Sequence, residues 1–335
     1  MGIFTSPSCP VGCGHCAVSA TPQDVPSQSA LLAARVEQMS QTSSLVAVAI
    51  TGGEPFFELD LLVSLAKILN SANKHVVVYS SGYWGRADIL PCVDEVLENI
   101  DGIVFGMDLY HRAYIPDEDL ICALRRTAGY GVWIAAQVVS GIDGDAHLVY
   151  AQRIFRDAFG ADWENRVTIV PTPPLPRGRA RKLKSFREYH PAPDEFCTSI
   201  NGPTLLRDGT LAACCNEEAV LHKGPNSLRV EDRDGFNQTL EELKNRTVLA
   251  YIRAFPPSVL LSLAAEYLKL DDPVQPGWMC EACWSFLDLY ERMGAQQQIT
   301  FDRMVSLLME TQKRQRPHTA KAQEPFTTSN LVSDV

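Results

Sequence analysis

The sequence predicts an α/β fold: a parallel sheet built from about six βα units, followed by a smaller C-terminal module of mixed helix and hairpin. Three observations point there. Short apolar runs alternate with amphipathic stretches from the N-terminus to about residue 180. The strand runs are nearly continuous in apolar residues, as strands covered by helices on their faces are. A Pro-rich break, PTPPLPRGRARK over 171–182, then ends the alternation.

In order, Ile3–Thr5 reads as a short strand and Ser29–Met39 as a helix. Leu45–Thr51 (LVAVAIT) reads as a buried strand, and Leu59–Leu69 carries apolar residues at helical spacing. Val76–Tyr79, Ile103–Met107, Val132–Val139 and Val167–Val170 are the next strands. Ile89–Leu97, Leu120–Thr127 and His147–Ala158 are the intervening helices. After the break, Thr204–Ala212 with Asp208-Gly209 reads as a hairpin. Leu240–Ile252, Ser258–Leu268, Ser285–Met293 and Phe301–Thr311 read as helices, and the polar end from about Gln312 as a disordered tail. The expected organisation is a first domain over 1–180, a second over 181–311 and a tail over 312–335.

Bulk composition narrows the function. At 335 residues and 46% hydrophobic content the chain can bury a sizeable core. A formal net charge of −10, from 30 basic and 40 acidic residues, argues against nucleic acid as a partner. The local patch Arg177, Arg179, Arg181, Lys182 and Lys184 reads as a solvated loop. No apolar run has the length of a membrane span, and no basic-then-apolar signal segment opens the chain. The ten cysteines are therefore expected in a reducing cytoplasm, as metal or cluster ligands.

Cys9, Cys13 and Cys16 form a C-x3-C-x2-C run with His15 before the last cysteine. Three thiolates in one loop can hold three corners of a four-iron cluster and leave the fourth iron open to a small molecule. Zinc is the alternative, although it usually takes four ligands, with knuckles paired at a distance. Thr51-Gly52-Gly53-Glu54-Pro55 follows one βα unit later. The two signals in this order resemble the radical S-adenosylmethionine (radical SAM) superfamily.

The resemblance implies a partial (β/α)6 TIM-like barrel. It implies that Cys9, Cys13 and Cys16 hold a [4Fe–4S] cluster whose open iron binds the amino and carboxylate groups of S-adenosylmethionine (SAM). One electron then cleaves SAM to methionine and a 5′-deoxyadenosyl radical, which takes a hydrogen from the substrate. His15 fills the aromatic position before the third cysteine. Gly52, Gly53 and Glu54 are expected at the SAM amino group, Ser80, Asp108 and Gln137 at ribose or carboxylate, and Val170 with Pro171 beside the adenine.

A second set, Cys197, Cys214, Cys280 and Cys283, resembles the SPASM/twitch auxiliary-cluster module in its short, twitch form, with the Asp208-Gly209 hairpin between the first two. The resemblance implies a second [4Fe–4S] cluster; structural zinc is the alternative. Cys215 is read either as a replacement ligand for its neighbour or as a thiol that returns a hydrogen atom to a substrate radical. Asp108 and His111 are read as a pair that orients substrate or moves a proton. Cys92 and Cys122 are read as buried core residues.

A fully ligated auxiliary cluster leaves no place for substrate, so its implied role is electron transfer and the expected net reaction an oxidation. Relatives with this module modify ribosomal peptides or natural-product intermediates, and a flavodoxin or ferredoxin is the expected reductant. The cysteine loop begins at residue 9, leaving no expected N-terminal peptide-recognition domain, which weighs slightly against a peptide. Alternatives are a dehydrogenase, epimerase or decarboxylase acting on a sugar, aminoglycoside or nucleoside intermediate, a member that binds SAM without cleaving it, and a zinc-stabilised binding protein without catalysis.

Overall fold

The computed structural model describes residues 1–22, 29–86, 93–188, 194–215, 218–232, 235–271 and 275–315. Six strands alternate with helices: β1 (Gly2–Phe4), α1 (Ser29–Ser40), β2 (Ala47–Thr51), α2 (Leu59–Ser71), β3 (His75–Ser80), α3 (Val93–Leu97), β4 (Gly102–Gly106), α4 (Leu109–Arg112), α5 (Asp117–Gly129), β5 (Trp133–Val139), α6 (Ala146–Phe159), β6 (Val167–Thr172) and α7 (Lys184–Glu188). The strands β1 to β6 lie side by side in chain order, each parallel to the next. Winding that never reverses is the pattern of a barrel; a doubly wound sheet reverses midway. The chain has the expected α/β fold, and its sheet order fits a partial barrel.

The pleat assigns each strand two jobs. In β3, Val76 and Val78 are buried on the helix side, and Tyr79 lines the inner cavity, as does the strand's last residue, Ser80. In β4, Ile103 and Phe105 pack outward while Val104 and Gly106 line the cavity. The helices close the outer layer with apolar faces such as Leu61, Leu62, Leu65 and Leu69 of α2, each buried leucine contributing about 1.5–3 kcal/mol.

The sheet does not stop at β1. Strand β7 (Thr204–Leu206) pairs parallel with β1, and β8 (Leu211–Ala212) and β9 (Arg229–Val230) extend it antiparallel. Five helices follow: α8 (Phe236–Asn245), α9 (Thr247–Ala254), α10 (Pro257–Tyr267), α11 (Met279–Arg292) and α12 (Ala295–Gln315). Among the described residues no helix is long and apolar enough to cross a membrane.

Several expectations need correction. The single helix expected over Leu240–Ile252 is two, because Arg246 is extended (φ −66°, ψ 116°) and its guanidinium donates to the Asn226 carbonyl at 2.9 Å. The helix expected at Ser285 starts at Met279, so Cys280 and Cys283 sit in its first turns rather than in a loop. Helix α12 continues past Gln312 to Gln315; the rest of the expected disordered tail lies outside the described residues. Cys122 is exposed, because α5 buries Leu120, Ala123, Leu124 and Thr127 and turns residue 122 outward. Cys92 and the first residues of the helix expected from Ile89 lie outside the described residues. The basic segment is not uniformly solvated: Arg181 and Lys184 are exposed, but Arg177 is buried against Glu218. Its partner comes from a distant segment that composition cannot reveal.

Candidate active site

The cysteine loop begins where β1 ends and is held against the end of β2 by backbone bonds that outrun both strands. Thr5 N–H donates to Thr51 O at 2.9 Å, Gly53 N–H to Ser6 O at 2.6 Å and Glu54 N–H to Ser8 O at 2.9 Å. This approach requires glycine: a Cβ on Gly53 would lie 2.3 Å from Ser8 O. The Gly-Gly pair thus brings the cysteine loop to the C-terminal ends of the strands, where parallel α/β folds place their chemistry.

Cys9 and Cys13 are buried and Cys16 half-buried. The Cys13 thiol shares a hydrogen bond with Cys16, which lowers the Cys16 thiol to about 5 and pushes Cys13 up. Burial, with the charge of Glu54, raises the Cys9 thiol to about 12. Amide N–H groups of Val11 and Ala20 donate to the Cys9 and Cys16 sulfurs at 3.3 and 3.4 Å. Arg179 clamps the loop from outside: its N–H donates to Cys16 O at 2.9 Å, Nε to Cys13 O at 3.0 Å and Nη1 to Ala20 O at 2.7 Å. Three crowded, part-desolvated thiols with amide donors on sulfur suit a cationic inorganic core, which would bind them as thiolates.

Glu54 is buried, and its carboxylate accepts from protein groups: Phe56 N–H (3.2 Å), Ser80 Oγ–H (2.9 Å), Ser81 N–H (2.7 Å) and the Ser81 hydroxyl. Burial raises its pKa, and these bonds oppose the rise. Gly52, Gly53, Ser80 and Ser81 line the inner cavity; Glu54 braces them from behind. Sequence reasoning missed Ser81, which the carboxylate positions.

A second buried carboxylate, Asp108, caps α4 by accepting from Tyr110 and His111 N–H at 2.9 and 3.1 Å. Its other contacts are His15 Nε2 at 3.2 Å and His111 Nδ1 at 3.1 Å. Burial alone would raise the Asp108 carboxyl, but His111 and His15 overcome it and hold the group well below the usual carboxylate range. Burial lowers His111 and Asp108 overcomes that, so the imidazole is raised. His15 stacks on Tyr110 at 4.9 Å, and Tyr110 stacks on His147 at 5.2 Å.

These groups surround one cavity of about 670 Å³, lined by Cys9, Cys13, Cys16, His15, Gly52, Gly53, Tyr79, Ser80, Asp108, His111, Gln137 and Cys215. Val170 is exposed, and the β6 side of the lining begins at Thr172 and Pro173. Adjacent cysteines part company here. Cys215 lines the cavity, whereas Cys214 lies with Cys197, Cys280 and Cys283; burial, with the charges of the other three, pushes the Cys283 thiol well above its ordinary value. Cys280 and Cys283, three apart, share one face near the positive end of α11, where thiolates are favoured.

Comparison with known proteins places this arrangement. No family model matches the chain. YydG of Bacillus subtilis (strain 168), a protein whose name places it in peptide biosynthesis, is 20% identical over 301 residues, covering 85% of this chain and 91% of YydG. The SuiB structure from Streptococcus suis bound to the precursor peptide SuiA has a TM-score of 0.55 at 14% identity, over 84% of this chain and 75% of SuiB. SuiB bound to S-adenosylmethionine has a TM-score of 0.50 at 14% identity, over 83% and 75%.

The chain shares the fold of SuiB.

In this chain Gly52, Gly53, Ser80, Ser81 and Gln137 border the cavity beside the three cysteines.

Proposed function

We propose that this chain is a radical SAM enzyme that modifies a peptide, removing a hydrogen atom and returning another through Cys215. One observation carries the reading: the three-cysteine loop and Cys215 line a single cavity. The names of YydG and of the SuiB–SuiA complex support the peptide as substrate. On this reading Cys9, Cys13 and Cys16 hold a [4Fe–4S] cluster, and residues 1–180 form the barrel domain. Residues 181–311 form a twitch-like module whose Cys197, Cys214, Cys280 and Cys283 hold the second cluster. Cluster and SAM, when bound, supply a 5′-deoxyadenosyl radical from one electron delivered by a flavodoxin or ferredoxin.

The chain's own residues do the rest. Glu54 fixes Ser80 and Ser81, which with Gly52, Gly53 and Gln137 orient the cofactor; Val104, Val139 and Phe4 keep the cavity dry. Asp108 and His111 form a fixed charged pair on the wall that orients the peptide. After a substrate C–H bond is broken homolytically, the Cys215 S–H bond breaks and a new C–H bond forms. A second electron from the same flavodoxin or ferredoxin and a proton from solvent then restore the thiol. The result is a redox-neutral inversion.

A second reading, oxidation, draws on the four-cysteine set as an electron acceptor. Mass spectrometry separates the two with a deuterated candidate peptide. Both transfer deuterium into 5′-deoxyadenosine. Inversion leaves the mass of unlabelled peptide unchanged in H2O and one unit heavier in D2O; oxidation gives a product two hydrogens lighter. A product lacking two hydrogens would overturn the inversion reading, and no transfer to 5′-deoxyadenosine from any peptide would overturn the peptide itself.

A further inference from the structure

The two cysteine sets are joined by three consecutive residues, Arg177-Gly178-Arg179. On one side, the Arg177 guanidinium is buried, ion-paired with Glu218 Oε2 at 2.9 Å and seated over the indole rings of Trp278 (4.4 Å) and Trp284 (5.0 Å). These partners flank the auxiliary cysteines: Trp278 and Trp284 bracket Cys280 and Cys283, and Glu218 follows Cys214 by four residues. On the other side, Arg179 binds the carbonyls of Cys13, Cys16 and Ala20. Gly178 sits between at φ +49°, so close to the first loop that a Cβ would lie 2.1 Å from Ala17 O. One arginine reads the auxiliary module and the next but one holds the loop of the open-iron site, with a glycine that leaves no slack between them.

We infer that this strap couples the two sites, with Arg177 and Arg179 as positioning residues: the pose of the first cysteine loop, and hence its affinity for SAM, is set by whether the auxiliary module is assembled around Arg177. The inference rests on the reading of both cysteine sets as cluster ligands. A guanidinium held flat by two indoles and a carboxylate is fixed in orientation, which an ammonium is not. A shift of about 1 Å at a reacting site is enough to cost about a hundredfold. By linkage, whatever the module contributes to SAM affinity, SAM returns to the module.

The test is SAM titration of the dithionite-reduced holoenzyme, followed by the change in the electron paramagnetic resonance signal of the first cluster, at matched occupancy of that cluster. Arg177→Ala should weaken SAM affinity about tenfold, and Arg177→Lys should not restore it. Cys280→Ser/Cys283→Ser should weaken it by a similar factor, and adding Arg177→Ala to that pair should change nothing more, since both act through one contact. Wild-type SAM affinity in Arg177→Ala, or additive losses in the combined variant, would overturn the inference. Should Arg177→Ala fail to accumulate, Glu218→Gln keeps the hydrogen bond and removes the charge; about a threefold loss is expected, and no loss would overturn the coupling. A wild-type protein without iron, or without a SAM-dependent signal, would instead remove the cluster reading on which the strap rests.

Discussion

Cys214 and Cys215 are neighbours in the chain, yet their thiols meet different surroundings. Cys214 lies with the auxiliary set, while Cys215 lines the cavity. Replacing Cys215 with Ala should therefore leave 5′-deoxyadenosine formation intact while product formation stops; equal loss of both would make Cys215 structural. Asp108 carries a different prediction. Asp108→Asn should cost about 3 kcal/mol, since it uncouples a buried charge from its partner. The sign of its pH dependence follows from two shifts. The Asp108 carboxyl is depressed, so its contribution is present above an unfolded value of about 3.9 and fades on acidification. The His111 imidazole is raised, so its contribution is full below an unfolded value of about 6.5 and fades as pH climbs through the folded value. Anaerobic denaturant titrations should thus show the largest gap between wild type and Asp108→Asn near pH 5–6, shrinking in both directions. A gap independent of pH would contradict the pairing.

At the scale of elements, the Gly-Gly-Glu turn is as much a packing device as a binding one. Gly53 lets the end of β2 lie against Ser8, and Glu54 looks back toward Ser80 and Ser81. Gly53→Ala should push the cysteine loop aside by a fraction of an ångström to an ångström, at about 2–3 kcal/mol. The first cluster should be lost and the second kept, so iron falls from about eight to about four per chain. Retention of all the iron would show that the loop tolerates the side chain. The strands of the barrel were legible in the sequence because buried parallel strands read as apolar runs. Their inner and outer faces were less so: the pleat turns Tyr79 into the cavity, and the functional weight expected at Ser80 is shared with Ser81. The break at Arg246 was not legible, because its guanidinium bonds to Asn226, twenty residues away in the chain; nor was the start of α11 at Met279.

At the scale of the whole molecule, a nine-stranded sheet runs without interruption from β6 to β9, with β1 in its interior. This interior strand of three residues carries the cysteine loop and also receives β7 of the C-terminal segment. The cysteine spacings were visible in the sequence, since spacing is local. The buried Arg177 and the clamp made by Arg179 were not, since a basic run in a Pro-rich break reads as solvated until its carbonyl and carboxylate partners are brought to it. On the proposed function, Cys9, Cys13 and Cys16 hold an open-iron cluster at which SAM is cleaved. The most direct test is anaerobic reconstitution of wild type and Cys13→Ala, followed by dithionite, SAM and measurement of 5′-deoxyadenosine. The account predicts a brown wild-type protein with about eight irons that forms 5′-deoxyadenosine, and a variant with about four that forms none. A colourless, zinc-loaded wild type that leaves SAM intact would contradict it.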